Sequence, residues 1–262
     1  MNIFETHAHY DDERYNDDRD ELLSAMAAHN IAPIINVGAS MDSAKESYRL
    51  AQEYPFIYAA LGVHPSDIDT LSDDGMEWIR EHASDAKVAA IGEIGLDYYW
   101  EKDETVREEQ RGCFVNQLKL AREVDLPVII HSREACDDTL SILKDAIDQG
   151  TRGVMHCFSY SPEIAEEYVK RGFFIGIGGV VTFKNGKKLK ETVERIPLEY
   201  ILTETDCPYL APEPFRGRRN DSTYLPYIVQ AIAKIKEITE DEVIETTAEN
   251  ARRLFAKVTF RA

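Results

Sequence analysis

Eight short apolar runs, each followed by a stretch of helical periodicity, leave this chain few folds to choose from. The runs are residues 2–9 ("NIFETHAH"), 32–39 ("APIINVGA"), 57–64 ("IYAALGVH"), 87–94 ("KVAAIGEI"), 127–132 ("PVIIHS"), 152–157 ("RGVMHC"), 172–179 ("GFFIGIGG") and 199–206 ("EYILTETD"). They are β-branched or aromatic, continuous rather than alternating, and bounded by Gly, Pro or polar clusters, as strands buried on both faces of a parallel sheet are. Among the helical stretches, 104–124 carries Phe114, Leu118 and Leu120. Segment 161–172 opens on Ser161 and Pro162 and closes on Gly172, and 239–255 opens with a capping box from Thr239 to Glu242. No linker or low-complexity segment interrupts the alternation. It predicts the α/β class and one (β/α)8 TIM barrel, a single domain over residues 1–262. An open, doubly wound sheet is the alternative, because strand count alone does not show closure.

The chemistry-bearing residues sit at the C-terminal edges of these runs: His7 and His9, His64, Glu93, His131, His156 and Asp206. In a parallel barrel those edges share one face, where the βα loops build active sites. Residues i and i+2 of a strand point the same way, so His7 and His9 can both face the barrel axis. Singly, each residue has a bland explanation. A lone His is commonly a satisfied core or surface group, Glu93 a helix cap, Asp206 the start of a turn before Pro208. Five strand-end histidines of the seven in the chain, together with two carboxylates, predict a metal site instead. His29 and His82 fall in helical patterns and take no part.

Four imidazoles (His7, His9, His131, His156) and two carboxylates (Glu93, Asp206) exceed what one catalytic zinc needs. A carboxylate has two oxygens and can bridge two cations about 3.5–4 Å apart. Glu93, midway in strand order, is the expected bridge. One cation is expected on His7, His9 and Asp206, the other on His131 and His156. Imidazole-rich sets favour Zn2+ or Mn2+ over Mg2+.

Charge and cysteine content bound the setting. The formal charge of −18 argues against adhesion to anionic membranes or non-specific nucleic-acid binding. No apolar run approaches the ~20 residues of a membrane span, and no basic-then-apolar leader is visible. The four cysteines (Cys113, Cys136, Cys157, Cys207) lack CxxC spacing and read as reduced thiols of a cytoplasmic enzyme. Cys157 and Cys207 are expected as small, half-buried side chains. A monomer is the expectation.

Taken in order, "ETHAHYD", "NVG", "GVHP", "GEIGLDYY", "PVIIHSREA", "HCFS", "TETDCPYL", "RGRRN" and "ENARRLF" resemble the TatD family of metal-dependent deoxyribonucleases, over essentially the whole chain. The resemblance implies a barrel that hydrolyses DNA phosphodiesters, with 3′–5′ exonuclease action, and Mg2+ ahead of Zn2+ or Mn2+. By position His7, His9, Glu93, His131, His156 and Asp206 match the family's metal ligands, and His64 matches a residue beside the scissile phosphate. Three departures bear on substrate fit: Glu5 ahead of the first histidine pair where Asp is usual, Ala8 where Cys is frequent, and "DST" after "RGRRN".

The expected mechanism is in-line attack by metal-activated water on a phosphodiester, with DNA as the substrate. Asp206 ligates and orients or deprotonates that water, His64 stabilises a phosphoryl oxygen or the leaving group, and Glu204 supports the ligands from behind. Arg133, Arg216, Arg218 and Arg219 are the expected contacts to flanking phosphates in a short footprint. Tyr98, Tyr99 and Trp100 either stack on bases or pack on the barrel rim. The alternative activity is amidohydrolase-like or aminoacyl-tRNA deacylase hydrolysis of C–N or carboxylic ester bonds.

Overall fold

Each apolar run becomes a strand in the computed structural model of the chain, which describes residues 2–260. The strands are β1 (Ile3–Ala8), β2 (Ile31–Val37), β3 (Ile57–Leu61), β4 (Val88–Asp97), β5 (Val128–Arg133), β6 (Gly153–Met155), β7 (Phe174–Ile177) and β8 (Ile201–Thr203). They pair in chain order and every pair is parallel. The last strand then returns to the first. Thr6 Oγ1 donates to the Thr203 carbonyl (3.0 Å), Asp206 N–H to the His7 carbonyl (3.0 Å) and His9 N–H to the Cys207 carbonyl (2.8 Å). Ala8 and Cys207 form a parallel bridge. A parallel order from one to eight that meets itself is a (β/α)8 barrel, and the open sheet is thereby excluded.

Helices α1 (Arg19–Ala25), α2 (Met41–Glu53), α3 (Asp73–His82), α4 (Glu104–Glu123), α5 (Cys136–Asp148), α6 (Pro162–Lys170), α7 (Lys187–Arg195), α8 (Leu225–Lys236) and α9 (Glu240–Leu254) connect and follow the strands. Their starts follow local chemistry. The hydroxyls of Ser40, Ser72 and Thr239 accept the N–H groups of Ser43, Gly75 and Glu242, the first turns of α2, α3 and α9. α6 begins with Pro162 in its first turn, but Ser161 makes no side-chain cap. Among the described residues no helix is long and apolar enough to cross a membrane.

The barrel has two unlike ends. Phe4, Ile35, Tyr58, Ile129, Val154, Phe174 and Leu202 fill its interior toward the start of the strands, where Ala251, Leu254 and Phe255 of and just beyond α9 close it. The rings of Phe4 and Phe255 stand 6.3 Å apart. With that end sealed by hydrocarbon, the opposite mouth is the place where buried polar groups collect. β1 reaches it by an irregularity: its pairing with β2 shifts between Ile3 and Glu5 and again between Glu5 and Ala8. Strict alternation from the inward Phe4 would turn Ala8 inward, yet Ala8 packs in the outer layer. The slip is what turns His7 and His9 toward the interior.

Phe255 is fully buried at the closed end. Phe255→Ala is expected to lower unfolding free energy by about 3–5 kcal/mol in urea titrations, while leaving the mouth intact. A loss below about 1 kcal/mol would mean that α9 does not close the barrel in solution.

Candidate metal centre

The mouth gathers all seven residues singled out at the strand ends. His7, Glu93 and His131 lie within β1, β4 and β5, whereas His9, His64, His156 and Asp206 stand just past β1, β3, β6 and β8. They border a cleft of about 780 Å³, whose wall includes His9, His64, Glu93, His131, His156 and Asp206. His7 lies behind it, fully buried.

Glu93 is the hub, and its two oxygens face different imidazoles. Oε2 is 3.4 Å from His7 Nε2 and 3.7 Å from His9 Nε2. Oε1 is 2.9 Å from His131 Nδ1 and 3.8 Å from both His64 Nε2 and His156 Nε2. Asp206 Oδ1 completes the first side, 3.5 Å from His9, 3.7 Å from His156 and 3.8 Å from His7. Sequence reasoning grouped His156 with His131. In the structure His156 Nε2 does face Glu93 Oε1, the oxygen His131 meets, but its ring also stacks on His7 at 3.4 Å and reaches Asp206, so it stands between the two groups. Among the described residues, potential ligand atoms converge within 4.8 Å in the sets His7–His156–Asp206, His7–His9–Glu93 and His64–Asp97–His131.

This donor set fits divalent cations. The Nε2 atoms of His7 and His9 stand 3.0 Å apart, an approach that two imidazole lone pairs sustain only with a proton or a cation between them. Supporting contacts orient the rings. His9 Nδ1 is 2.8 Å from the Val37 carbonyl, so it carries the proton and turns the Nε2 lone pair inward. Glu204 Oε1 lies 3.0 Å from His156 Nδ1, off the line of a formed hydrogen bond, and accepts the Cys157 N–H at 2.6 Å. Gly176 makes room for that carboxylate: a Cβ there would fall 2.4 Å from a Glu204 oxygen.

Burial opposes a charge on Glu93, but His156, His131, His64 and His7 hold its carboxyl well below the ordinary range. Asp206 is likewise held low, against burial, by His156, His9 and His7. Burial works against charging His9 too, yet Asp206 and Glu93 push it up to about 9; Glu204, Glu93 and Asp206 push His156 up to about 10. His64 differs. Burial and the nearby His131 pull it down to about 3, and its Nδ1 accepts the Ser66 N–H at 3.1 Å. Its proton therefore sits on Nε2, making it a neutral donor aimed at Glu93 and the cleft.

Asp97 is the residue sequence reasoning missed. Its Oδ2 lies 3.1 Å from His131 Nε2, so His131 stands between two carboxylates. The available signal was its place four residues beyond Glu93, the same face at a period of two. β4 pairs with β5 in regular register from Ile94 to Asp97. Gly95 has φ +147, and a Cβ there would lie 1.9 Å from the His131 carbonyl, so only glycine permits this close approach.

The expected arginines separate. Arg133 lines the cleft, its guanidinium 3.8 Å over the Tyr99 ring. Arg216, Arg218 and Arg219 do not line it. Asn220 folds their loop back, donating its N–H to the Pro208 carbonyl (3.1 Å) and its Nδ2 to the Thr205 carbonyl (2.9 Å). Arg216 then covers Phe183, Arg218 lies over Phe215, and Arg219 pairs with Asp18 at 2.8 Å. All four cysteines are free; Cys157 is half-buried as expected, whereas Cys207 is fully buried behind the β1–β8 seam.

Behind the cluster Glu5 accepts the Thr205 N–H (2.8 Å), the Thr205 hydroxyl (2.7 Å) and the His7 N–H (3.2 Å). Burial nonetheless raises its carboxyl to about 8. A native pKa above the unfolded 4.5 makes its stability contribution complete below about pH 4.5 and lost as pH rises toward 8. Comparing wild type with Glu5→Gln by denaturant titration should show the wild type's relative stability declining across that window. A difference independent of pH would contradict a protonated Glu5 in the native state.

The chain matches, over residues 4–256, the family described as TatD related DNase. It is 44% identical to YabD of Bacillus subtilis (strain 168), named an uncharacterized metal-dependent hydrolase, over 97% of this chain and 98% of the relative. It is 34% identical to a protein of Cronobacter sakazakii named 3′-5′ ssDNA/RNA exonuclease TatD, over 93% of this chain and 94% of that one. Among solved structures, the TatD homolog YJJV of Escherichia coli K12 superposes with a TM-score of 0.90 at 32% identity, covering 97% of this chain and 98% of that one.

Proposed function

The chain belongs to the TatD related DNase family of metal-dependent hydrolases, and on that premise we propose that the mouth of its barrel hydrolyses DNA phosphodiesters as a 3′–5′ exonuclease with two divalent cations. The observation that carries the reading is the division of Glu93: one carboxylate oxygen toward His7 and His9, the other toward His131 and His156. Asp206 joins the first group. Divalent cations held there would supply Lewis acidity, lowering the pKa of water and neutralising charge on phosphoryl oxygens. Mg2+ stands first by family resemblance, while the imidazole-rich set also suits Zn2+ or Mn2+.

The remaining steps belong to side chains. Asp206, held ionised beside His156 and His9, accepts a proton from the attacking water. The His64 Nε2–H donates to a phosphoryl oxygen or to the departing oxygen. Arg133 is the arginine on the cleft wall and takes a flanking phosphate. Free cysteines suit a reducing compartment, and we place the enzyme in the cytoplasm as one domain and a monomer.

Incubation with Mg2+ and a 5′-labelled single strand should release nucleotides from the 3′ end. Aminoacyl esters and cyclic amides run in parallel should remain intact; their hydrolysis with the oligonucleotide untouched would overturn the proposal. Glu93→Gln should lower kcat at least about 10³-fold and reduce bound metal while leaving the circular dichroism spectrum unchanged. His64→Ala should lower kcat by about 10²–10³ with metal content retained, since it removes the Nε2–H donor and not a ligand. Loss of metal in that variant would assign His64 to coordination instead.

A further inference from the structure

Two aromatic posts stand on opposite lips of the cleft. One is the Tyr99–Trp100 pair just past β4, with Trp100 70% and Tyr99 40% exposed. The Arg133 guanidinium, at the end of β5, lies 3.8 Å over the Tyr99 ring and 5.6 Å from the Trp100 ring. The other is Tyr209, past β8 and 47% exposed, with Arg14 4.2 Å over its ring. In a barrel ordered β1 to β8, the β4–β5 edge lies across the mouth from the β8–β1 edge. Trp100, Arg133 and Tyr209 all border the same cleft.

The lips differ in charge. Arg14 is neutralised by Asp12, with Nε and Nη2 each 3.0 Å from a carboxylate oxygen. Arg133 enters no ion pair among the described residues, and the adjacent Glu134 pairs with Lys102 at 3.5 Å. Tyr98, by contrast, is tied down, its hydroxyl donating to Asp138 at 2.6 Å. Asp97 fixes the charged lip in place. Its Oδ1 accepts the N–H groups of Tyr99 (2.9 Å) and Trp100 (3.0 Å), while its Oδ2 meets His131. One carboxylate therefore sets both a candidate ligand and the indole.

An exposed indole beside an unpaired guanidinium is suited to a base and its phosphate. Asp11, Asp12 and Asp67 also border the cleft and oppose any second phosphate backbone. A duplex presents no free base face and brings that second backbone with it. The geometry points to a nucleotide subsite on the Trp100–Arg133 lip, faced by Tyr209, in which the Trp100 indole stacks a base and Arg133 takes the phosphate next to it. This inference rests on the nuclease reading above and deepens it.

Trp100 itself reports occupancy, because the chain has only one other tryptophan, Trp78. In a Trp78→Phe, His64→Ala protein with Mg2+ present, slow in cleavage but retaining its metal, a dT hexamer should quench the indole and an abasic hexamer should not. Trp100→Ala, read by anisotropy of a labelled strand, should weaken dT hexamer binding by about tenfold to hundredfold and leave the abasic strand unaffected. Trp100 is 70% exposed, so its truncation removes little packing, and Trp100→Phe should restore most of the affinity. Equal binding of both hexamers, or an unchanged constant in Trp100→Ala, would overturn the subsite. Cleavage by the wild type is scored separately. Cleavage that is indifferent to Trp100 sinks the subsite alone, whereas base-dependent quenching without cleavage upholds it and sinks only the nuclease reading.

Discussion

Closure of the barrel by β8 against β1 is the constraint on which the site depends. Thr6 and Thr203 are 197 residues apart in the chain and 3.0 Å apart at this seam. The same run of backbone bonds continues upward, Asp206 N–H to the His7 carbonyl and His9 N–H to the Cys207 carbonyl. Those bonds are made by the candidate ligand residues themselves. The seam that closes the sheet thus sets the spacing between the histidine pair and Asp206, and Glu5 and Thr205 brace it from behind.

The centre is an electrostatic balance held in a nearly dry place. Burial penalises a lone charge on either kind of group. Carboxylates and imidazoles interleaved at 2.9–3.8 Å offset that penalty by stabilising one another's charged forms. The same interleaving presents nitrogen and oxygen atoms that divalent cations accept. A net charge of −18 is compatible with an anionic substrate only where positive charge is concentrated, and Arg133 supplies one such point at the cleft wall.

Much of this was legible because period-two geometry and parallel-barrel topology are strong constraints. The shared face of His7 and His9 follows from their spacing, and the common rim follows from their place at strand ends. The failures are equally physical. The arginine run 216–219 lay in a long loop, where no periodicity says which way a side chain turns; Asn220 decides it by folding the loop back. Asp97 lay beyond the apolar run 87–94, but β4 continues in register with β5 as far as Asp97 and so brings it to His131. His156 shares Glu93 Oε1 with His131 as grouped, while its stacking on His7, which sets it between the two groups, is a contact no spacing rule encodes.

By itself the sequence determined the strand–helix alternation, the identity of the ionisable residues and the rim they occupy, because these depend on local periodicity and on a topology rule with few exceptions. The tertiary structure decided which oxygen of Glu93 meets which imidazole, which nitrogen of His64 holds its proton, and which arginine reaches the cleft. Those are matters of ångströms between segments far apart in the chain. They are set by the β1 register slip, the seam and the folded-back loop, none of which leaves a periodic trace in the residues.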